Sequence, residues 1–449
     1  MNASGSFVKT IFASLLILVA ACKPHLEVPV PVQGEANFTK TIAVGDNFLS
    51  GYQDGALYRK GQLNSIPALM AAQFGTAGGS SSFILPLIPD DYGLGLNPKP
   101  WEGTYLSKRT LGFRTNCEGE TGLFPLSSNI AQVSADAYLL PVNTTVNNLA
   151  APYLKIGDMF NPQAGTAAGN VFYHRFAQNP GVTTVLSDVN SANATFFTLW
   201  TGVEDIYDYA RNGGYNKTIL PPAQFEVYLD SLLSALTSNG AKGVIANIPY
   251  PGSFPFYTLV PFDGAELNTN KADSLNDIYH TAGLTHINFY EGRNAFVIED
   301  SLAPGGYRQM FQGEHITLSV PLDSMRCYYY GLLLQVIHDR YVLDTAEMVT
   351  IFENIQQYNN IIMLKAAQYD LAFADMNFFF KNVMTGIKWN GVDFNAEFIS
   401  GGFFSLDGFH PNQKGYELVA NEFIKVINAK YHSTLSPVNC TGCNGILFP

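Results

Sequence analysis

Charge is scarce in this chain. Only 14% of its 449 residues are Asp, Glu, Lys or Arg, and the formal net charge is −12. No basic run is longer than Arg59–Lys60. That argues against a nucleic-acid partner, because phosphate binding needs clustered Lys and Arg. Long apolar runs are scarce too. The single such stretch lies at the extreme N-terminus, which argues against a bundle of membrane-spanning helices. No internal repeat is visible. What the chain does have is apolar material, 47% hydrophobic residues and 13% aromatic, ample to bury a core. Disorder over most of its length is excluded.

Residues 1–21 read MNASGSFVKTIFASLLILVAA, with Lys9 as the sole charge before an apolar run from Thr10 to Ala21. The run is short for a membrane span and fits a signal-peptide core. It ends in Val19-Ala20-Ala21-Cys22, which resembles the lipobox of bacterial lipoproteins. By that resemblance Cys22 becomes the mature N-terminus and carries lipid. The alternative is ordinary secretory cleavage, with Cys22 a bystander. Three prolines in residues 23–37 predict that 22–37 form an extended, lipidated tether. The expected location is the bacterial cell envelope, at the outer membrane, with membrane contact through the lipid alone.

Four further cysteines, Cys117, Cys327, Cys440 and Cys443, make an even set that suits disulfides in an oxidising compartment. Spacing leaves three connectivities open. The expected one pairs Cys117 with Cys327 and Cys440 with Cys443. The latter spacing also suits half a zinc site, but no second Cys/His pair follows it.

Short β-rich apolar runs alternate with amphipathic stretches, the pattern of a parallel sheet covered by helices. Predicted strands are 40–44, 138–142, 195–200, 243–248 and 371–374. Predicted helices are 64–74, 222–239, 345–368 and 414–430. Two segments break the alternation. Residues 75–137 are rich in Gly, Ser and Pro, and residues 251–339 are aromatic and turn-rich. Both are expected to be insertions at strand ends within one domain spanning 38–449, where they would form walls or lids of a site.

Four blocks occur in order. The first predicted strand runs into Gly45-Asp46-Asn47-Phe48. After the second comes Asn148-Leu149-Ala150-Ala151-Pro152, and after the third Gly202-Val203-Glu204-Asp205. Asp407-Gly408-Phe409-His410-Pro411 precedes the last helix. This order resembles the SGNH/GDSL esterases and lipases. Their blocks are Gly-Asp-Ser, a Gly, Gly-x-Asn-Asp and Asp-x-x-His. The resemblance implies a three-layer α/β/α sandwich on a flavodoxin-like, five-stranded parallel sheet. It implies hydrolysis of acyl or acetyl esters of lipids or glycans, without a cofactor. His410 would be the general base, and Asp407 would orient it. Backbone N–H groups and the Asn amide of the third block would bind the oxyanion.

Three of these positions depart from the pattern. Asn47 stands where the nucleophilic Ser belongs, and a carboxamide nitrogen is delocalised into its carbonyl and does not attack. Ala150 stands at the second-block Gly, which keeps a backbone N–H. Glu204 stands at the oxyanion Asn and brings negative charge. The reading is therefore an impaired esterase binding a ligand or partner in the old cleft. Rivals are an active esterase using Ser50 or a water activated by His410, and a structural subunit docked on an outer-membrane protein. A metal held by Asp46, Glu204 and His410 is a further option, against the blander His410–Glu204 ion pair. The other seven histidines have no partner at diagnostic spacing.

Overall fold

The computed structural model describes residues 30–96, 105–439 and 442–449. The apolar N-terminal run, Cys22 and Cys440 lie outside them. Four near-continuous apolar runs form the central sheet: β1 (Thr41–Gly45), β2 (Phe196–Trp200), β3 (Lys242–Ala246) and β4 (Ala372–Ala374). They lie in that order and all pair in parallel, Ala43 opposite Thr198 and Val244 opposite Ala372. Buried on both faces, they have no need of polar alternation.

The fifth strand is displaced. Residues 138–142 are not a strand: a helix covers Gln132–Tyr138 and coil follows it. Pro141 offers no ladder donor, and the Val142 N–H goes to the Arg175 carbonyl. The outer place beside β1 is taken by residues 147–151. Ala43 makes a parallel bridge to Asn148, and the N–H groups of Leu149 and Ala151 donate to Ala43 and Gly45. The sheet order is that of a flavodoxin-like fold, with the fifth member reduced to this short ladder.

Helices flanking the sheet or its ends include α1 (Asn47–Ser50), α2 (Ile66–Thr76), α3 (Val203–Arg211), α4 (Pro222–Thr237), α5 (Thr345–Gln368) and α6 (Gln413–Tyr431). On one face α6 packs against α2, and on the other α5 packs against α3 and α4. Stacked rings lock both layers. Phe38 lies on Phe74 at 4.2 Å and Phe225 on Tyr358 at 3.9 Å, while Phe48 of α1 stacks on Trp200 of β2 at 4.6 Å. Each such pair adds about 0.5–1.5 kcal/mol beyond its buried area.

The 251–339 segment gathers its own apolar cluster, including Leu275, Tyr279, Val297, Ile316 and Ile337. The 75–137 segment projects a hairpin of Thr110–Thr115 paired with Thr121–Leu126. Cys117 at the hairpin tip is disulfide-bonded to Cys327, with Cα atoms 5.9 Å apart, so the two segments are tied together. Cys443 is buried and also disulfide-bonded. Near the N-terminal end, the described part of the tether is not free. Val32 and Thr434 exchange hydrogen bonds, and the Glu35 N–H donates to Tyr431 at the end of α6.

Candidate active site

The site grows from the carboxyl end of the sheet. β1 ends at Gly45, and Asp46 caps the single turn α1 by accepting from the Phe48 N–H. Gly51, at φ +82°, ends that turn. The geometry sets Asn47 on the cleft floor with no exposed surface. Its carboxamide bridges two neighbours: Nδ2 donates to Glu204 Oε1 at 2.7 Å, and Oδ1 accepts from the Tyr153 N–H at 2.6 Å.

Glu204 lies in the first turn of α3. Gly202 before it adopts φ +93°, and a Cβ there would come within 2.8 Å of the Phe225 ring, so glycine is needed. Two turns on, Arg211 reaches back along the helix. Its Nη1 donates to Glu204 Oε1 at 3.0 Å and its Nη2 to Oε2 at 2.5 Å. Glu204 is 1% exposed, so this is a buried, bidentate ion pair. Burial, reinforced by the Glu204 charge, pushes the neighbouring Asp46 carboxyl well above its usual range. Burial also raises Asp205 to about 7, against the opposing N–H of Ile156.

Asp407 and His410 occupy the loop before α6. Asp407 Oδ1 accepts from the backbone N–H groups of Phe409 and His410, and Oδ2 from that of Gly55. His410 Nδ1 lies 2.9 Å from Asp407 Oδ2. Burial alone would raise Asp407, but His410 and Arg109 beside it hold its carboxyl well below the usual carboxylate range. His410 Nε2 is buried and has no hydrogen-bond partner among the described residues. His410 and Asp407 thus form a buried, hydrogen-bonded pair, the carboxylate fixing the imidazole.

Several sequence expectations need correcting. Ala150 does not supply the second-block donor, because its N–H is spent on Asn148 Oδ1. The N–H that faces Asn47 is that of Tyr153, held at φ +62°. A bulky residue in that region costs about 1–2 kcal/mol. Ser50 does not face the dyad: its hydroxyl donates to the Asn47 carbonyl at 2.8 Å. Glu204 pairs with Arg211 rather than His410, and no group of metal-ligating residues forms among the described residues. Arg211 and Tyr153 were the residues missed. The seven-residue spacing of Glu204 and Arg211, two helical turns, was a legible signal for the former.

Asn47, Tyr153, Arg211 and His410 open into a cavity of about 690 Å³. Leu106, Ser107 and Arg109 of the first insertion wall it on one side. Phe256 and Ser319 of the second insertion, with Arg340 just past its end, wall it on the other. A family model described as GDSL-like lipase/acylhydrolase matches residues 126–423. None of the curated proteins compared with the chain matches it. Among solved structures it is similar to an α/β hydrolase, LAE5, from the metagenome of Lake Arreo, Spain (10% identity, 88% of this chain and 97% of that one, TM-score 0.36). It is likewise similar to an acetylxylan esterase from Geobacillus stearothermophilus (10%, 88% and 96%, TM-score 0.32). A third is described as a GDSL-like lipase from Parabacteroides merdae (10%, 89% and 99%, TM-score 0.35).

Proposed function

Because the chain belongs to the GDSL-like lipase/acylhydrolase family, we propose that it uses the family's cleft to bind a ligand and has given up serine-dependent ester hydrolysis. One observation carries this reading: the Asn47 carboxamide is locked between Glu204 and the Tyr153 N–H. Asn47 contributes no nucleophile. Its Oδ1 also occupies a backbone donor that an oxyanion would need, so the hole is filled from within. The dyad persists without a serine to activate, and His410 Nε2 becomes a hydrogen-bonding point for whatever enters. The test is turnover of nitrophenyl acetate and butyrate, with a serine-directed phosphonate as probe. Turnover no greater than that of His410→Ala and no phosphonate adduct are expected. Turnover that disappears in His410→Ala would overturn the reading.

A second reading rests on that same unpartnered Nε2, which would take a proton from a water that reached it. It predicts hydrolysis that survives Asn47→Ala but not His410→Ala. The N-terminal pattern supports a lipoprotein held at a membrane surface through Cys22. Cys22→Ser should move the protein from the membrane to the soluble exported fraction, and equal membrane retention would refute lipidation.

A further inference from the structure

The N-terminal segment and the cleft lie at opposite poles of the sheet. Residues 32–37 run past the amino ends of the parallel strands. Thr195, just before β2, donates through its hydroxyl to the Asn37 carbonyl at 2.8 Å, and Lys242, the first residue of β3, pairs with Glu35 at 3.3 Å. Val32 and Glu35 bond to Thr434 and Tyr431, where α6 ends. Asn47 and Glu204 stand instead just past the carboxyl ends of β1 and β2. Helix α6 joins the two poles. Its cap, Asn412, follows His410 by two residues, and its last residue, Tyr431, donates to the Gly243 carbonyl at the start of β3. At about 1.5 Å per residue, its 19 residues put roughly 28 Å between the segment's attachment and His410.

Cys22 precedes Val30 by eight residues. Fully extended, a segment of that length spans at most about 29 Å. A lipid on Cys22 would therefore hold the attachment pole within that reach of a bilayer. Turning the cleft onto the same bilayer would require the segment to double back along the whole of α6. That uses all of its reach and forfeits its conformational freedom. The opposite orientation needs no such extension. Glu35 and Asp370, at the attachment pole, are paired with Lys242 and Lys430, so neither offers lipid headgroups an unpaired negative charge.

We propose that the amino-end pole of the sheet is the surface turned to the membrane, and that the cleft opens away from it and takes its ligand from the aqueous side. The proposal rests on the lipidation of Cys22 proposed above and adds the orientation it imposes. Lipids of the anchoring bilayer then stay out of the cleft's reach, so a ligand arrives through water.

Energy transfer from single labelled sites to acceptor-tagged headgroups tests this, with protein extracted from membranes and added to preformed phosphatidylethanolamine–phosphatidylglycerol vesicles. Asn239→Cys, exposed in the turn before β3, reports on the attachment pole. Ser127→Cys, on the cleft wall, and Ala168→Cys, in the groove that shares Tyr153 with the cleft, report on the other. Cys117, Cys327 and Cys443 are disulfide-bonded, which leaves the new thiol to the label. Transfer from position 239 should exceed that from either cleft position several-fold. Iodide in the medium should quench the Ser127→Cys label as strongly with vesicles as without. Equal or greater transfer from both cleft positions, or loss of iodide quenching on vesicle binding, would overturn the orientation. Failure of the lipidation shows separately: protein that does not float with the vesicles, behaving like Cys22→Ser, would overturn the anchor and the proposal with it.

Discussion

On the proposed reading, an ester-hydrolysing site should need three substitutions, and the order of gains can be worked from the contacts. Asn47→Ser removes the 2.7 Å bond to Glu204 and the 2.6 Å bond from the Tyr153 N–H. On that reading it puts a hydroxyl at the nucleophile's position and frees the Tyr153 N–H for an oxyanion. The third donor is still missing, because Glu204 presents a carboxylate there. Loss of one such donor costs about 3–4 kcal/mol, roughly a hundred- to a thousandfold in kcat. Asn47→Ser alone should therefore form a phosphonate adduct but turn over slowly. Glu204→Asn would supply the donor, yet it strips Arg211 of its partner. The guanidinium is only 18% exposed, and breaking a buried pair from one side costs about 3–5 kcal/mol of stability. Adding Arg211→Met removes the stranded charge. The triple variant should recover most of that stability and exceed Asn47→Ser in turnover by roughly a hundred- to a thousandfold. Glu204→Asn with Arg211→Met, lacking a nucleophile, should do nothing, which makes the effects strongly non-additive. The assays are chemical denaturation, phosphonate labelling and nitrophenyl ester turnover. A folded triple variant that neither labels nor turns over would mean that Asn47 does not occupy the nucleophile's place.

Arg211→Met alone should cost about 3–5 kcal/mol in denaturant unfolding, and a loss near zero would show that the pair contributes nothing. Asp205, raised to about 7 by burial, binds a proton in the folded state that a free carboxyl of about 3.9 gives up earlier. Between those values the folded state holds more protons, so this group's effect is to lower stability as pH rises. Asp205→Asn should flatten that part of the pH profile, and an unchanged slope would refute the assignment. Removing the Cys117–Cys327 bond by paired serine substitution should expose the 110–126 hairpin to limited proteolysis, since a lone two-stranded hairpin is marginal in water. Equal resistance in both forms would show that the hairpin is held by other contacts.

The parts of the fold that could be read from the chain are those where one local signal decides. Four of the five predicted strands appear within two residues of their expected ends, because buried parallel strands must be continuously apolar. Helix α5 begins at Thr345, where Asp344 and Glu347 form a capping box. The displaced fifth strand shows the limit of that rule. Residues 138–142 carry the right apolarity, but Pro141 denies them a ladder. The polar residues that replace them, Asn147 and Asn148, are held by side-chain bonds to the Thr41 and Leu49 carbonyls. No hydropathy pattern announces such a strand.

At the site, the chemistry was legible in identity and illegible in partnership. The structure brings Asn47, Asp407 and His410 to one cavity and bonds Glu204 to Asn47, yet isolated residues suggested that Glu204 would oppose an oxyanion or pair with His410. Arg211 changes that argument. It balances the Glu204 charge in place, so the carboxylate is no longer a stray anion in an esterase cleft but one half of a fixed pair. Glu204 Oε1, shared with Arg211, also accepts from Asn47, and Asn47 Oδ1 in turn accepts from the Tyr153 N–H. Each substitution makes sense only with the others. Glu204 without Arg211 would be an unpaired buried charge, and Asn47 without Glu204 would leave its amide donor unsatisfied. A site that had merely lost its nucleophile would show one change beside a preserved oxyanion hole. Here Asn47, Glu204, Arg211 and the Tyr153 backbone form one hydrogen-bonded unit beside a preserved His410–Asp407 pair. That coherence supports the proposed reading, in which these substitutions act together.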